Sequence, residues 1–322
     1  NRKNFLVGLL GMGSLLSWKA FSTLNTSNKS KKMEQYSDEL FATFGAIHLN
    51  NTSIEKATKF WTTIVGLKLR KSYDKTAEFG SENKTLIVVH ETATAPYMAG
   101  YSGMYHVAIH VATASEFAKM MYRIFANNYP CSPTDHTMSK SVYFTDPDGI
   151  TIEIALETPE RFKRVVTTGG LKIEAADGSV HSASSPLDVE EVMKELKDKD
   201  LSAYVSDETK IGHIHLYANN VEKSNTFYRQ MGFEQFNFLP QFMYADVGAG
   251  GPYHHRVAMN SWHGQNRPLA PGSNAGMRHY HIVFDSKDRL TNALSSVSNY
   301  KEKDGGYWVN DPTGNVVFLS HA

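Results

Sequence analysis

Gly212-His213-Ile214-His215-Leu216 is the second copy of a pattern met 167 positions earlier as Gly45-Ala46-Ile47-His48-Leu49. The same offset relates Val221-Glu222-Lys223-Ser224 to Ile54-Glu55-Lys56-Ala57, and Phe227-Tyr228 to Phe60-Trp61. At an offset of 165, Asp311-Pro312-Thr313-Gly314 repeats Asp146-Pro147-Asp148-Gly149. Self-similarity at a fixed spacing is the mark of a duplicated structural unit, so residues 40–157 and 210–322 are duplicates of one another.

Each half divides again. Four times an alternating strand, starting near 45, 105, 212 and 279, precedes a segment with apolar residues at helical spacing, as in Ile54, Ala57, Trp61 and Ile64, or Phe117, Met120, Met121 and Ile124. Three of these helices open on a capping-box pattern: Thr52-x-x-Glu55, Thr113-x-x-Glu116 and Asn219-x-x-Glu222. Short β-rich runs bounded by Gly or Asn/Asp turns follow, for example Lys84-Thr85-Leu86-Ile87-Val88-Val89 and Ser141-Val142-Tyr143-Phe144. The fold class expected is α+β: four βαβββ modules forming two half-barrel-paired domains, with the helical Met and aromatic stripes as core. Between the halves, the connector 158–209 carries one amphipathic helix, from Asp188 to Lys199, and reads as a strut without chemistry.

The 322 residues are 41% hydrophobic and 20% charged, which is the make-up of an ordinary folded protein with room for a full core. Lys and Arg balance Asp and Glu at 33 each, so net charge gives no reason for nucleic acid or an anionic membrane as partner. Cys131 is the single cysteine, which excludes an internal disulfide framework and any multi-cysteine metal site. Arg2-Lys3 followed by the apolar run Phe5–Leu16 is too short for a stable membrane span, and suits an export signal cleaved near Ala20-Phe21-Ser22. Asn1-Arg2-Lys3-Asn4-Phe5-Leu6 resembles a twin-arginine signal with Lys at the second Arg, giving a periplasmic expectation, with the cytoplasm as the alternative. Residues 23–38 read as a flexible spacer, so 1–38 are set apart from the fold.

The 14 histidines are the unusual feature. Residues i and i+2 of a strand share a face, so His213 faces with His215, His279 with His281, and His106 with His110 two steps on. The first facing position of the four lead strands holds Ala46, His106, His213 and His279. A second recurring position lies on the last strand of each module, seven residues after the Asp of the Asp-Pro-x-Gly block: Glu153 in module two and Phe318 in module four. In module three the last strand is read as carrying His254-His255-Arg256-Val257-Ala258.

These features together, with Asp146-Pro147-Asp148-Gly149-x-x-Ile152-Glu153, Tyr253-His254-His255 and Asn260-Ser261-Trp262-His263-Gly264, resemble the vicinal oxygen chelate superfamily (glyoxalase, bleomycin resistance, extradiol dioxygenase). Within it the two-domain catechol 2,3-dioxygenase-like proteins are the most similar, over nearly everything from residue 40 to the end. The resemblance implies a metal in a cup formed by two paired modules, ligated from the first-strand and last-strand positions. A non-haem iron(II) site needs two histidines and one carboxylate on one face, with open positions beside them. Modules one and two lack a histidine, modules three and four meet Phe318 where the carboxylate belongs, and modules one and four offer only His279. Modules two and three supply His106, His213 and Glu153, so the metal is expected between the two halves of the chain.

The resemblance further implies an active-site tyrosine ten residues before the ligand glutamate, which is Tyr143, where module four has Trp308. It implies a histidine on the last strand of the partner module, matched by His255, and His136 is placed near the same cup. The activity implied is extradiol cleavage: Fe(2+), with Mn(2+) as the alternative, a small aromatic diol and dioxygen as substrates, no nucleic acid, and a homo-oligomer left open. Pocket walls are expected from 96–104 and 236–276. The rival readings are a glyoxalase-like isomerase or lyase, against which the absence of a glutamate at His254-His255-Arg256 counts, and a metal-free binder of a small planar ligand.

Overall fold

The computed structural model describes residues 36–322, and the expected export signal and most of the spacer fall outside them. Module one consists of strand Ala42–Asn51, helix Ile54–Lys59 continuing as a π-helix Phe60–Val65, and strands Lys68–Tyr73, Thr76–Gly80 and Thr85–Glu91. Module two has strand Gly103–Val111, helix Ala114–Ala126 and strands Ser132–Asp135, Ser139–Thr145 and Thr151–Glu157. Module three has strand Lys210–Tyr217, helix Val221–Gln230 and strands Glu234–Leu239, Tyr244–Gly248 and Val257–Asn260. Module four has strand Gly276–Phe284, helix Lys287–Ser295 and strands Tyr300–Lys303, Gly306–Asn310 and Val316–His321. The fold is the α+β, four-module arrangement of the vicinal oxygen chelate class.

Inside every module the lead strand pairs in parallel with the last strand. Between modules the lead strands pair antiparallel, one with four and two with three. Two sheets result, and each draws one module from either half of the chain. Each sheet has a local twofold, centred on Ile47 opposite Tyr280 in one and Val107 opposite Ile214 in the other. The twofold makes positions comparable. Glu153, Ala258, Phe318 and Val88 all sit one residue past the partner of that central position. Ladder irregularities flank both centres, at Ile211/His213 and Phe44/Ile47 among others; such bulges bend a strand and re-aim its side chains.

The helices lie against the sheets through the apolar stripes, Phe117, Met120, Met121 and Ile124 all being buried. Each such side chain contributes roughly 1.5–3 kcal/mol. The Thr113–Glu116 capping box is formed. The other two expected boxes are not. The first helix is capped by Ser53, with Glu91 accepting from the Ile54 N–H, while Thr52 bonds Asp148. The third is capped by Asn220, one residue later than the pattern suggested. In both, a side chain that suits a cap competed with an equally suitable neighbour.

The connector also departs from expectation. Its helix is only Val189–Met193, capped by Asp188. Ahead of it lies a three-stranded sheet of Phe162–Val166, Lys172–Ala175 and Val180–Ser182. Ser185–Pro186 then adds an edge strand to the sheet of modules two and three, so the connector is part of that sheet rather than a strut. The last spacer residues are docked as well: Ser37 N–H donates to Glu234, and Tyr36 stacks on His254 at 4.0 Å. Among the described residues, no helix is long and apolar enough to cross a membrane.

Candidate metal centre

The antiparallel pairing of Gly103–Val111 with Lys210–Tyr217 sets His106 and His213 on adjacent strands, either side of the local twofold. Glu153 enters from Thr151–Glu157, the strand parallel to the lead strand of module two. All three side chains are buried, and one ligand atom from each converges on a point. His106 Nε2 lies 3.0 Å from Glu153 Oε2, His213 Nε2 lies 3.0 Å from the same oxygen, and the two nitrogens are 3.1 Å apart. They form the one such grouping of histidine, cysteine and carboxylate ligand atoms among the described residues.

The triangle can be tested against a metal. Ligands about 2.1 Å from a common ion stand about 3.0 Å apart at right angles and about 3.4 Å apart at tetrahedral angles. The edges found match one face of an octahedron, the two-histidine, one-carboxylate arrangement that leaves the opposite face open. The charges agree with this. Burial pushes His106 and His213 below the ordinary imidazole range. It also pushes Glu153 up, but His213 and His106 outweigh it and hold the carboxyl well below its usual range. Glu153 Oε2, 3.0 Å from both imidazole nitrogens, makes no hydrogen bond of acceptable geometry among the described residues. A buried anion in that state is costly unless a cation completes it.

Around the triangle, Glu153 Oε1 accepts from the Ser141 hydroxyl at 2.6 Å, which fixes the carboxylate's rotation. Behind His213, its Nδ1 lies 2.8 Å from His110 Nε2, and His110 Nδ1 lies 2.8 Å from Glu157 Oε1. Tyr143, from the strand Ser139–Thr145 beside that of Glu153, sets its ring edge-on to His106 at 5.4 Å. Burial and the Glu153 charge raise its hydroxyl well above the ordinary phenol value, so it stays protonated. That hydroxyl lies 2.9 Å from His136 Nε2, and His136 Nδ1 lies 2.8 Å from the Ala183 carbonyl. Since a carbonyl only accepts, Nδ1 carries the His136 proton and Nε2 accepts from Tyr143. His136 therefore supports Tyr143 from behind, with the connector supplying the carbonyl.

His255 reaches the cup from module three, its ring 4.6 Å from that of His213. It does so from the turn before the last strand, which begins only at Val257. The module-three counterpart of Glu153 is Ala258. His255 Nδ1 lies 2.7 Å from Asp246 Oδ2, so Nδ1 is the donor and Nε2 the free basic atom. His254 turns the other way, onto Tyr36 and Phe236, and takes no part. His215 floors the cup, accepting from Asn260 at 2.9 Å. Tyr105, Tyr244 and Trp262 surround it as a wall of rings at 5.0 to 6.0 Å. His279 lies in the other sheet, stacked on His48 at 3.9 Å.

Sequence reading gave no role to Ser141, Glu157 and Asp246, nor to His110 beyond the strand face it shares with His106. A signal was present for three of them: Ser141 is two before Tyr143 on the same strand face, and His110 and Glu157 follow His106 and Glu153 by four.

The sequence family described as the Glyoxalase/Bleomycin resistance protein/Dioxygenase superfamily matches residues 43–154. A catechol-2,3-dioxygenase of Bacillus subtilis is 26% identical over 276 residues, 83% of this chain and 93% of the relative. A solved putative dioxygenase of the same organism superposes with a TM-score of 0.54 at 13% identity, covering 87% of this chain and 85% of that one. A glyoxalase I mutant from Zea mays superposes with a TM-score of 0.50 at 13% identity, covering 87% of this chain and 94% of that one. At these identities the two structures speak for the fold alone.

Proposed function

We propose that this chain, which belongs to the glyoxalase/bleomycin resistance protein/dioxygenase superfamily, is an iron(II)-dependent extradiol dioxygenase that cleaves a small aromatic diol with dioxygen. The observation that carries the reading is the triangle of His106, Glu153 and His213, whose 3.0–3.1 Å edges fit one octahedral face and whose buried carboxylate calls for a cation. A glyoxalase-like chemistry would want a second last-strand carboxylate, and Ala258 stands at that place.

When bound at these three residues, the iron supplies chelation of both diol oxygens and a neighbouring place for dioxygen. The chain does the rest. Glu153 contributes the negative charge that offsets the ion, with Ser141 holding its second oxygen. His255, oriented by Asp246, offers Nε2 to take the proton of a substrate hydroxyl and later to return it; such a residue contributes about 10²–10⁴-fold. Tyr143, whose own proton is committed to His136, presents its oxygen as acceptor to a substrate hydroxyl. Tyr105, Tyr244, Trp262 and His215 supply faces and edges against which a planar ring packs, and keep water from it. The basic-then-apolar residues 2–22 are the basis for proposing that the protein acts after export.

The test is anaerobic loading with iron(II), and separately with manganese(II), followed by catechol in air and a watch for the yellow ring-opened product. Product from the loaded wild type, and none from Glu153→Ala or His213→Ala, supports the proposal. Tight metal binding with no cleavage of any diol tried would move the reading to another metal-dependent reaction, and absence of metal binding would move it to a binder.

A further inference from the structure

We infer that His110 is a positioning residue for the metal centre: anchored by Glu157, it locks His213 in the tautomer whose Nε2 is bare and available to a metal. The inference rests on the reading of His106, Glu153 and His213 as metal ligands. His110 shares its strand with His106, four residues on, and is buried.

Each hydrogen bond in the chain dictates the next. Glu157 is ion-paired with Arg256, which keeps it a carboxylate and already balances its charge. Glu157 can then only accept, and its Oε1 takes Arg256 Nη1 at 2.7 Å as well as His110 Nδ1 at 2.8 Å. The single proton of a neutral His110 is therefore on Nδ1, and its Nε2 is an acceptor. His213 Nδ1, 2.8 Å away, must be the donor. A neutral His213 with its proton on Nδ1 has a lone pair on Nε2, the atom that points at Glu153 and His106. Metal-ligating histidines are commonly held this way by a partner on the other ring nitrogen.

The backbone is shaped to admit the relay. Gly212 lies in the ladder irregularity beside His213, and a Cβ there would fall 1.9 to 2.2 Å from atoms of the His110 ring. Arg256 also donates to the Gly212 carbonyl at 3.1 Å, tying the Glu157 end to the same turn of strand. His106 has no equivalent support, since its Nδ1 is buried without a hydrogen-bond partner among the described residues. In the sheet of modules one and four, the positions of His213, His110 and Glu157 hold Ala46, Val283 and Ala322, so ligand and relay are absent together.

The tautomer can be read directly. In metal-free protein labelled with ¹⁵N-histidine, the ring spectrum of His213 is expected to show a pyrrole-type Nδ1 and a pyridine-type Nε2. Iron(II) affinity, measured anaerobically by chelator competition, should fall about 10–100-fold in His110→Leu. It should return most of the way in His110→Gln, whose amide oxygen can accept from His213 Nδ1. A wild-type His213 protonated on Nε2, or a folded His110→Leu that binds iron within about twofold of wild type, would overturn the inference. Should His110→Leu not fold, the wild-type spectrum and the His110→Gln affinity decide. Wild-type protein that takes up no iron would sink the function proposed above, while the tautomer spectrum would still judge this inference.

Discussion

Two cups built on one plan hold opposite contents. In the sheet of modules two and three, the twofold-related positions carry His106, His213 and Glu153, with Tyr143 cross-strand from the carboxylate. In the sheet of modules one and four the same positions carry His279, Ala46 and Phe318, with Trp308 cross-strand from Phe318. The second cup is filled by its own rings. Phe318 packs on Trp308 at 4.8 Å and on His281 at 4.7 Å, Trp308 meets His279 edge-on at 4.8 Å, and His279 stacks on His48. Even a shared pair has changed character: His215 bonded to Asn260 in one cup is His48 bonded to His90 in the other. The scaffold thus provides two histidine-lined concavities, and what separates a site from a packed aromatic stack is one carboxylate together with the groups that hold it and its neighbours in a fixed protonation state.

The largest expected effect tests that carboxylate. Glu153→Ala should weaken iron(II) binding by at least about 100-fold and abolish turnover, because it removes both a proposed ligand and the compensating charge. Phe318→Ala, at the matched position, should change neither metal content nor rate and should cost only packing. Equal loss of metal from both variants, read by elemental analysis after desalting, would erase the distinction between the cups.

Next in size is the proposed base. His255→Ala should lower kcat by about 10²–10⁴-fold with iron content unchanged, since His255 touches His213 but lies outside the triangle. Asp246→Asn should give a smaller loss of the same kind by letting the His255 proton move to Nε2. Rates and metal content measured on the same samples separate this from a ligand defect. A smaller effect again is expected of Tyr143→Phe, about tenfold in kcat/KM for the loss of one hydrogen bond to substrate. Its counterpart Trp308→Phe should be silent in the same assay.

How much of this was legible follows from the same geometry. The repeats put His106, His213, His279 and Glu153 at known strand positions, and a two-residue strand period is enough to say which of them share a face. Setting module pairs against the ligand requirement then singled out two and three, one of the two pairs whose lead strands adjoin in the structure. Contacts that depend on irregular backbone were not legible. The His110–His213 bond needs the ladder break at Gly212, and the Ala183 carbonyl behind His136 needs the connector to join the sheet. His254 and His255 face opposite ways in an irregular stretch that follows the turn at Gly250 and Gly251, both with positive φ. Asn220 rather than Asn219 caps its helix because both residues suit the role and the start of the helix decides between them.

The smallest effect belongs to the filled cup and concerns acid. Burial, followed by repulsion from Arg278 and His90, lowers His279 from the ordinary 6.5 to about 4; His281 is lowered by burial to about 4, and His48 by burial and its histidine neighbours to about 3. For a histidine whose folded value is depressed, the unfolded chain binds a proton first as pH falls. Stability is therefore full above 6.5 and is lost progressively from 6.5 down to about 4, below which the loss stops growing. His279 is only half-buried, so solvent screening reduces its share to about 1 kcal/mol between pH 7 and pH 5. In metal-free protein the histidines of the other cup contribute equally to wild type and to His279→Leu, and so cancel. The difference in unfolding free energy between pH 7 and pH 5, measured in urea, should be smaller in His279→Leu by about that amount. An unchanged difference would mean that His279 binds its proton equally well in the folded and the unfolded chain, in which case the second cup admits charge rather than excluding it.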